Sequence, residues 1–469
     1  MSAALLGAES RPAYAQAGGG GSPGAQQPQA PPAGTGRAPS AWLVNGVGSV
    51  GQTLTGSLSI GGGRFERRPD TTLNPLLTPS DSAISYVNGG LFYGVDAGRS
   101  NLSAGFTAFG NYFPAFSDEI LFGYSGSATA SLAVTSRTTL TATQGAYLEP
   151  PLARSLQGIF GPGAGGGAIP PVLDPGRIEE RALTLTTGVG LQHQLTSRSS
   201  LSLSYRRWRY DLRDQSLIQI SDDASIRYTH ALTGGLSFHA GYRYGTSRVE
   251  GVDVPPTERS GIDAGLDYGR ALSLTRNTTL AFGAGTTVAR EGDNNRFLLT
   301  GNVQLDHQIG RSWNTGVFYR RTADYVEGIT GIVMTDGVGT FLGGQVGRRV
   351  SLSLQADASR GNIGLEDRNP FNSYRAGAGL SIAMSQSTGL GISYSYFQSD
   401  FDNGSFLLSP GLQKYQGHST SVNVGWRYLQ FGVAYSRYLY LSNRDQSLTA
   451  SVSLFAPLVA RTRRPDASR

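Results

Sequence analysis

Apolar and polar residues alternate with a period of two through most of this chain. The segment "VSLSLQADAS" at 350–359 places Val, Leu and Ala on one face and Ser, Gln and Asp on the other. The segments "RSSLSLSYR" at 198–206 and "QSLTASVSLF" at 446–455 repeat the pattern. Successive side chains of a β-strand point to opposite faces, whereas a helix would repeat every 3.6 residues. No stretch has convincing helical spacing, so the sequence predicts an all-β protein.

Short polar turns recur between these alternating segments. "TSRTTL" at 135–140, "TSRSSL" at 196–201 and "LTRNTTL" at 274–280 are nearly the same phrase. When turn centres near Gly98, Gly234, Arg311, Arg348, Gln386 and Leu429 are included, most successive intervals are roughly 35–43 residues, a spacing that indicates an internal repeat. The longer interval between the first two phrases contains the Gly- and Pro-rich "GPGAGGGAIPPVLDPG" at 161–176. Each period therefore holds a strand, a variable loop, a returning strand and a tight turn, which is the pattern of a meander.

A repeat near forty residues is also typical of propeller blades, which contain four short strands each. Here each period has room for two strands of about ten to fifteen residues, the length that a tilted membrane-crossing strand requires. Tight turns at one end and long loops at the other are likewise typical of outer-membrane barrels. The sequence predicts a single transmembrane antiparallel meander β-barrel of about 20 strands, between 18 and 22, over residues 51–456.

The two faces of the predicted strands differ in a way that suits a barrel in lipid. The face opposite the apolar residues is rich in Gly, Ser, Thr, Asn and Gln, and Gly alone accounts for 65 of 469 residues. Such residues suit a water-filled lumen, while the apolar face contacts lipid. Aromatic residues recur where strands approach the long loops and predict an interfacial girdle. Its members are Tyr205, Trp208, Tyr210, Tyr242, Tyr244, Tyr319, Tyr394, Tyr396 and Tyr435.

On these patterns the chain resembles a Gram-negative outer-membrane β-barrel of the porin-like kind. The resemblance implies short periplasmic turns, long extracellular loops and a location in the cell outer membrane. It also implies contact with outer-membrane lipids and lipopolysaccharide, and insertion by the barrel-assembly machinery. Such proteins often end in an alternating strand closed by Phe. Here Phe455 lies beside Leu454 instead of in phase with Val452, which departs from that pattern.

The two ends of the chain are interpreted separately from the barrel. Residues 1–15 end in the small-x-small sequence Ala13-Tyr14-Ala15 and are interpreted as a truncated signal peptide. Residues 16–50 are Gly-, Pro- and Gln-rich and predict a disordered segment. Residues 457–469 are predicted to form a C-terminal extension.

The composition argues against several other functions. The net charge is +6 and there is no Cys, so neither nucleic acid nor a thiolate metal site is expected as a partner. The five His are scattered without metal-ligand spacing, and "GPGAGGGA" at 161–168 lacks the Lys-Ser/Thr of a phosphate-binding loop. The sequence therefore predicts no catalytic residue, no cofactor and no metal.

Charged residues at lumen-facing positions are the candidate functional side chains. A ring of such charges can set the ion selectivity of a pore, but opposite charges can also pair and brace the wall. The alternation leaves both readings open. The candidates are Arg206, Arg243, Arg320, Arg375, Arg427, Asp263, Asp267, Asp306 and Asp357. A separate set near the loops could bind lipopolysaccharide phosphates: Arg207, Arg209, Arg248 and Arg321.

The leading functional hypothesis is a porin-like channel for passive or gated passage of small polar solutes. One alternative is a barrel partner in surface-polysaccharide export, in which a wide lumen would pass a polymer. The other is a surface adhesin or scaffold whose lumen is blocked. The sequence does not distinguish the solute.

Overall fold

Strands account for nearly all of the chain that the computed structural model describes. The described residues are 51–69, 80–97, 99–112, 114, 120–149, 182–212, 216–251, 256–268, 270–271, 277–291, 294–326, 329, 331–365, 369–385, 387–401, 414–426, 428–440 and 443–462. The strands are β1 (Gly51–Pro69), β2 (Ser80–Asp96), β3 (Ser100–Tyr112), β4 (Ile120–Thr135), β5 (Thr138–Glu149), β6 (Ala182–Gln194), β7 (Ser199–Leu212), β8 (Leu217–Ala231), β9 (Leu236–Glu250), β10 (Thr257–Tyr268), β11 (Arg270–Ala271), β12 (Thr278–Glu291), β13 (Asn294–Ile309), β14 (Trp313–Tyr325), β15 (Ile332–Val346), β16 (Val350–Ile363), β17 (Pro370–Ala383), β18 (Thr388–Phe401), β19 (Lys414–Trp426), β20 (Leu429–Tyr440) and β21 (Asn443–Thr462).

The sheet closes on itself. Each long strand pairs antiparallel with its neighbours in sequence, and β1 pairs with both β2 and β21. The two-residue β11 pairs with β12, as β10 does, and therefore continues the course of β10. The result is a closed antiparallel meander of 20 strands with one extra short strand. The fold class and the strand number predicted from the sequence are confirmed.

The connections differ in length between the two ends of the barrel. One end has tight turns, such as 136–137 between β4 and β5 and 347–349 between β15 and β16. Gly310 and Gly347 have φ values of 63° and 67° in two of these turns, a conformation that costs little only for glycine. At the other end, the longest connection is 150–181 between β5 and β6. We call these the turn end and the loop end.

The outward face of the barrel is apolar around its circumference. Ile262 and Phe297 are 62% and 67% exposed, and large apolar side chains are exposed from Leu58 on β1 to Leu454 on β21. An exposed apolar belt this extensive would be unfavourable in contact with water. It matches the lipid-facing surface of a membrane barrel. Among the described residues, no helix is long and apolar enough to cross a membrane.

The inward face is lined with small polar groups that pair between adjacent strands. Hydroxyl hydrogen bonds join Thr107 Oγ1 to Ser125 Oγ at 2.5 Å and Ser393 Oγ to Ser421 Oγ at 2.7 Å. In these pairs each hydroxyl has a hydrogen-bond partner on the neighbouring strand, and the inner wall of the barrel remains polar.

The predicted boundaries need one correction. The strand β21 continues to Thr462, so residues 457–462 belong to the barrel wall and not to a C-terminal extension. Backbone pairing with β1, which begins at Gly51, holds this segment in place. The predicted signal peptide at 1–15, the segment 16–50 and the Phe455 side chain lie outside the described part of the structure.

Candidate functional site

The tip of one hairpin leaves the barrel wall at the loop end. The pairing of β13 with β14 stops at Gly301 and Arg321, whereas β14 stays paired with β15 up to Tyr325 and Ile332. The last residues of β14 are thus free of β13 and turn into the lumen. Gly331, at a φ of 93°, supplies the left-handed backbone at the base of this tip. We call the described residues 323–326, 329 and 331–333 the inward hairpin.

Apolar contacts hold the inward hairpin against two parts of the wall. Ala323 and Ile332 pack with the inward-facing Ala289 and Leu298 and with Leu365 of the β16–β17 connection. On the other side, Tyr325 packs against a buried cluster of Ala182, Trp208, Tyr210 and Leu212. Fully burying a large apolar side chain stabilises a fold by about 1.5–3 kcal/mol, so these contacts outweigh a surface interaction.

A buried arginine joins the inward hairpin to the strands β8–β10 on the same side of the barrel. Arg259 on β10 is 2% exposed and donates to Asp324 Oδ1 of the hairpin at 2.5 Å. It also donates to the Ala323 carbonyl and pairs with Asp223 on β8. Arg243 on β9 completes the group, with Nε 3.7 Å from Asp223 Oδ1 and Nη1 3.6 Å from Asp324 Oδ1. We call Asp223, Arg243, Arg259 and Asp324 the lumen ion cluster.

Neutral hydrogen bonds fix the hairpin backbone in the same position. Gln219 Nε2 on β8 donates to the Ile329 carbonyl at 2.9 Å and to the Val326 carbonyl at 3.5 Å. Tyr325 Oη donates to the carbonyls of Thr257 at 3.0 Å and Gly245 at 3.2 Å. Buried carbonyls need such partners, so the contact surface is matched in polarity as well as in shape.

The structure brings together some of the predicted lumen residues. Arg243 belongs to the lumen ion cluster, and Arg206 lies directly across from Asp223 in the β7–β8 register. Arg375 and Asp357 form a separate ion pair, with Nε and Oδ2 3.0 Å apart and both side chains 10% exposed. For these pairs the geometry fits the bracing reading.

The remaining lumen candidates lie elsewhere on the wall. Asp306 accepts from Gln304 Nε2 at 2.9 Å, and Arg320 is half-buried on β14. Asp263 and Asp267 occupy lumen-side positions of the β10 backbone, but their side chains lie outside the described part of the structure, as does Arg427.

The predicted aromatic girdle divides into two groups. Tyr396 is half-buried, and six tyrosines are between 37% and 47% exposed beside the apolar belt, namely Tyr205, Tyr242, Tyr244, Tyr319, Tyr394 and Tyr435. Trp208 and Tyr210 are only 5% and 1% exposed and pack inside the barrel. Their assignment to the girdle was wrong, because residues one and three positions after Arg207 share the inward face with Arg206.

A repeated polar arrangement caps the belt at the loop end. Tyr205 Oη donates to Asp222 Oδ1 at 2.6 Å, and Arg207 Nη1 lies 3.8 Å from the same carboxylate oxygen. A second copy, with distances of 2.7 and 3.7 Å, is formed by Tyr319, Arg321 and Asp336. Both derive from a Tyr-Arg-Arg sequence whose first and third residues point outward. A tyrosine ring in the belt with its hydroxyl in a polar layer is the arrangement expected at a membrane interface.

The arginines predicted to bind lipopolysaccharide already have acidic partners. Arg207 and Arg321 pair with Asp222 and Asp336 as described. Arg209 pairs with Asp211 at 3.2 Å and Arg248 with Glu250 at 3.6 Å. Lipopolysaccharide therefore remains an expected partner without an identified binding side chain.

Sequence reasoning missed the residues that hold the inward hairpin. Arg259, Asp223 and Asp324 stand at lumen-phase positions near the loop end of their strands, and that phase is a signal readable from the sequence. Their mutual contact is not readable, because Arg259 lies 36 residues from Asp223 and 65 from Asp324. Among the described residues, no three His, Asp or Glu side chains converge as a metal site would require.

Comparisons with known proteins give structural similarity only. No family model and no curated protein matches the sequence. The chain is similar in structure to the siderophore receptor PirA from Pseudomonas aeruginosa (TM-score 0.46, 9% identity, 86% of this chain and 80% of that one). It is also similar to the FrpB iron transporter from Neisseria meningitidis, F3-3 variant (0.46, 9%, 88% and 82%). A third is the ferric-catecholate import receptor Fiu from E. coli K12 (0.47, 11%, 87% and 82%).

Similarity at this level supports no inference about solute or partner. The features of the chain itself decide its class: a closed antiparallel barrel, an apolar belt facing outward and a polar wall facing inward. This combination identifies an outer-membrane β-barrel protein.

Proposed function

We propose that this protein is a porin-like channel for small polar solutes, narrowed at its loop end by the inward hairpin. The supporting observation is the contrast between a polar, accessible inner wall and a hairpin that occupies one side of the lumen. Ser127 on β4, Ser204 on β7, and Asn302 and Gln304 on β13 are exposed at inward positions of three strands. A barrel of 20 strands is too wide for its own side chains to fill, so water occupies the remaining lumen.

The inward hairpin favours small solutes over a polymer. Passage of a polysaccharide chain would require a continuous wide lumen. The lumen ion cluster and the inward hairpin narrow the lumen from one side. The same hairpin is also compatible with the blocked-scaffold hypothesis. A hairpin that closes the lumen would prevent conductance, whereas one that narrows the lumen would leave a conducting path.

Planar-bilayer recording of the refolded protein tests the proposal. We expect stepwise conductance from protein shown to be folded by heat-modifiable migration in gels. Absence of conductance from folded protein would contradict the channel and favour the blocked scaffold.

Cysteine modification then tests which face lines the pathway. The natural chain has no Cys, so single introduced thiols report cleanly. A charged thiol reagent should reduce the conductance of Ser204→Cys, because residue 204 faces the lumen. It should leave the conductance of Tyr205→Cys unchanged, because residue 205 faces the lipid. Equal effects at both positions would contradict the assigned pathway.

A further inference from the structure

The turn end of the barrel carries a set of arginines whose placement differs from that of all the arginines described so far. They are exposed, and they lie in or beside five tight turns: Arg99, Arg137, Arg198, Arg311, Arg348 and Arg349. We call this set the turn rim. It is independent of the inward hairpin and of the proposed channel function.

The turn rim begins where the lipid-facing belt ends. Val134 is exposed three residues before Arg137, and Leu195 is exposed three residues before Arg198. The same succession occurs at the β13–β14 and β15–β16 turns, with Ile309 before Arg311 and Val346 before Arg348. A side chain at this position reaches the layer where phospholipid headgroups meet the hydrocarbon core.

The height of the belt agrees with this placement. On β7 the belt runs from the turn at Arg198 to the polar cap at Arg207, nine residues apart. On β14 it runs from Arg311 to Arg321, ten residues apart. Nine residues of strand span about 30 Å, and a tilt of about 40° reduces this to about 23 Å, close to the ~25 Å apolar band of known barrels. The two sets of arginines therefore lie at the two interfaces.

The two interfaces differ in charge balance. Arg207, Arg209, Arg248 and Arg321 at the loop end each have an acidic neighbour, and so has Arg64, which pairs with Asp81. The six turn-rim arginines form no ion pair with a described residue. The described residues of the tight turns include no acidic residue, and the exposed Asp96 ends β2 three residues before Arg99. The turn rim therefore carries an excess of positive charge at headgroup height.

We propose that the turn rim binds the phosphate groups of anionic phospholipids in the leaflet that the turns face. Guanidinium groups match phosphate oxygens with two parallel hydrogen bonds, and a basic residue near an anionic membrane surface contributes about 1 kcal/mol. The turn rim then fixes the depth of the barrel in that leaflet, and anionic lipid stabilises the folded state.

The test compares urea unfolding in phosphatidylcholine vesicles and in mixed phosphatidylcholine–phosphatidylglycerol vesicles. The rim variant carries Arg137→Gln, Arg198→Gln, Arg311→Gln and Arg348→Gln. The matched control carries Arg64→Gln, Arg207→Gln, Arg248→Gln and Arg321→Gln at the loop end. We expect phosphatidylglycerol to raise the folding equilibrium constant of the natural protein by about 5-fold per rim arginine at low salt.

The rim variant should lose most of this lipid dependence, and the control variant should retain it. If the rim variant does not fold, the single variant Arg311→Gln and a salt titration of the natural protein replace it, since added salt should remove the difference between lipids. Free glycerol phosphate added to phosphatidylcholine vesicles should not stabilise the barrel. Undiminished lipid dependence in the rim variant, loss in the control, or equal stabilisation by free glycerol phosphate would overturn the proposal.

Discussion

Two arcs of the barrel wall differ in how their inward-facing polar side chains find partners. In the arc β3–β6 the inward side chains that the structure describes are neutral, and the hydrogen bond between Thr107 and Ser125 joins neighbouring strands. In the arc β7–β14 the inward groups include charges, and Arg259 reaches from β10 to Asp324 on β14. A hydroxyl finds its partner one strand away, but a buried guanidinium needs carboxylates to offset its desolvation. The charged arc therefore holds a hairpin against one side of the lumen, and the neutral arc has no such hairpin among its described residues.

The largest effect should follow from removing the centre of the charged arc. Arg259→Gln leaves Asp223 and Asp324 in the lumen without their buried partner, and breaking such a pair costs about 3–5 kcal/mol. We expect faster amide hydrogen exchange at 323–333 and a larger single-channel conductance, with the barrel still folded. Unchanged exchange in this segment would show that the apolar contacts alone hold the hairpin.

The next effect tests whether both arcs share one outward face. Leu203→Arg in the charged arc and Phe106→Arg in the neutral arc should each destabilise the barrel by about 2–4 kcal/mol, because the cation would lie near the bilayer midplane. Ser202→Arg and Thr107→Arg, one position away, should assemble nearly normally because the lumen hydrates the charge. Urea unfolding in vesicles measures the difference, and equal damage within a pair would reverse the assigned faces.

A smaller effect is expected within the neutral arc. Ser125→Ala removes one partner of the hydroxyl pair and should cost about 0.5–1.5 kcal/mol. The conductance and the hydrogen exchange of the inward hairpin should not change, since the pair lies away from it. A change in either would indicate that the two arcs are coupled.

The smallest effect concerns ion selectivity. With Arg206, the lumen ion cluster contains three arginines and two aspartates, an excess of one positive charge. We therefore expect a weak preference for anions in salt-gradient reversal potentials. Arg243→Gln should lower the anion-to-cation permeability ratio, and Asp324→Asn should raise it. A natural protein that already prefers cations would contradict the role of this cluster in selectivity.

The sequence is informative where structure depends on local period, and less so where it depends on distant contact. Alternation and turn spacing were enough to predict the meander, the strand number and the lumen-side position of Arg243. The same alternation places Trp208 and Tyr210 on the inward face. The girdle prediction failed for these two residues because it used only their position along the strand and not the face of the sheet on which they lie. The contact between Arg259 and Asp324 depends on the curvature of the closed sheet, which no local pattern encodes.

The meander also has a consequence for how the barrel is put together. Apart from the seam, every pairing between long strands joins consecutive long strands of the chain, whereas the seam joins Ser59 to Ser453 across 394 residues. Loop-closure entropy rises only with the logarithm of loop length, and the zipped hairpins shorten the effective loop further. Cutting the chain at the turn 232–235 and joining the ends of β21 and β1 with a short linker should therefore yield the same barrel, with the old seam converted into one more local hairpin.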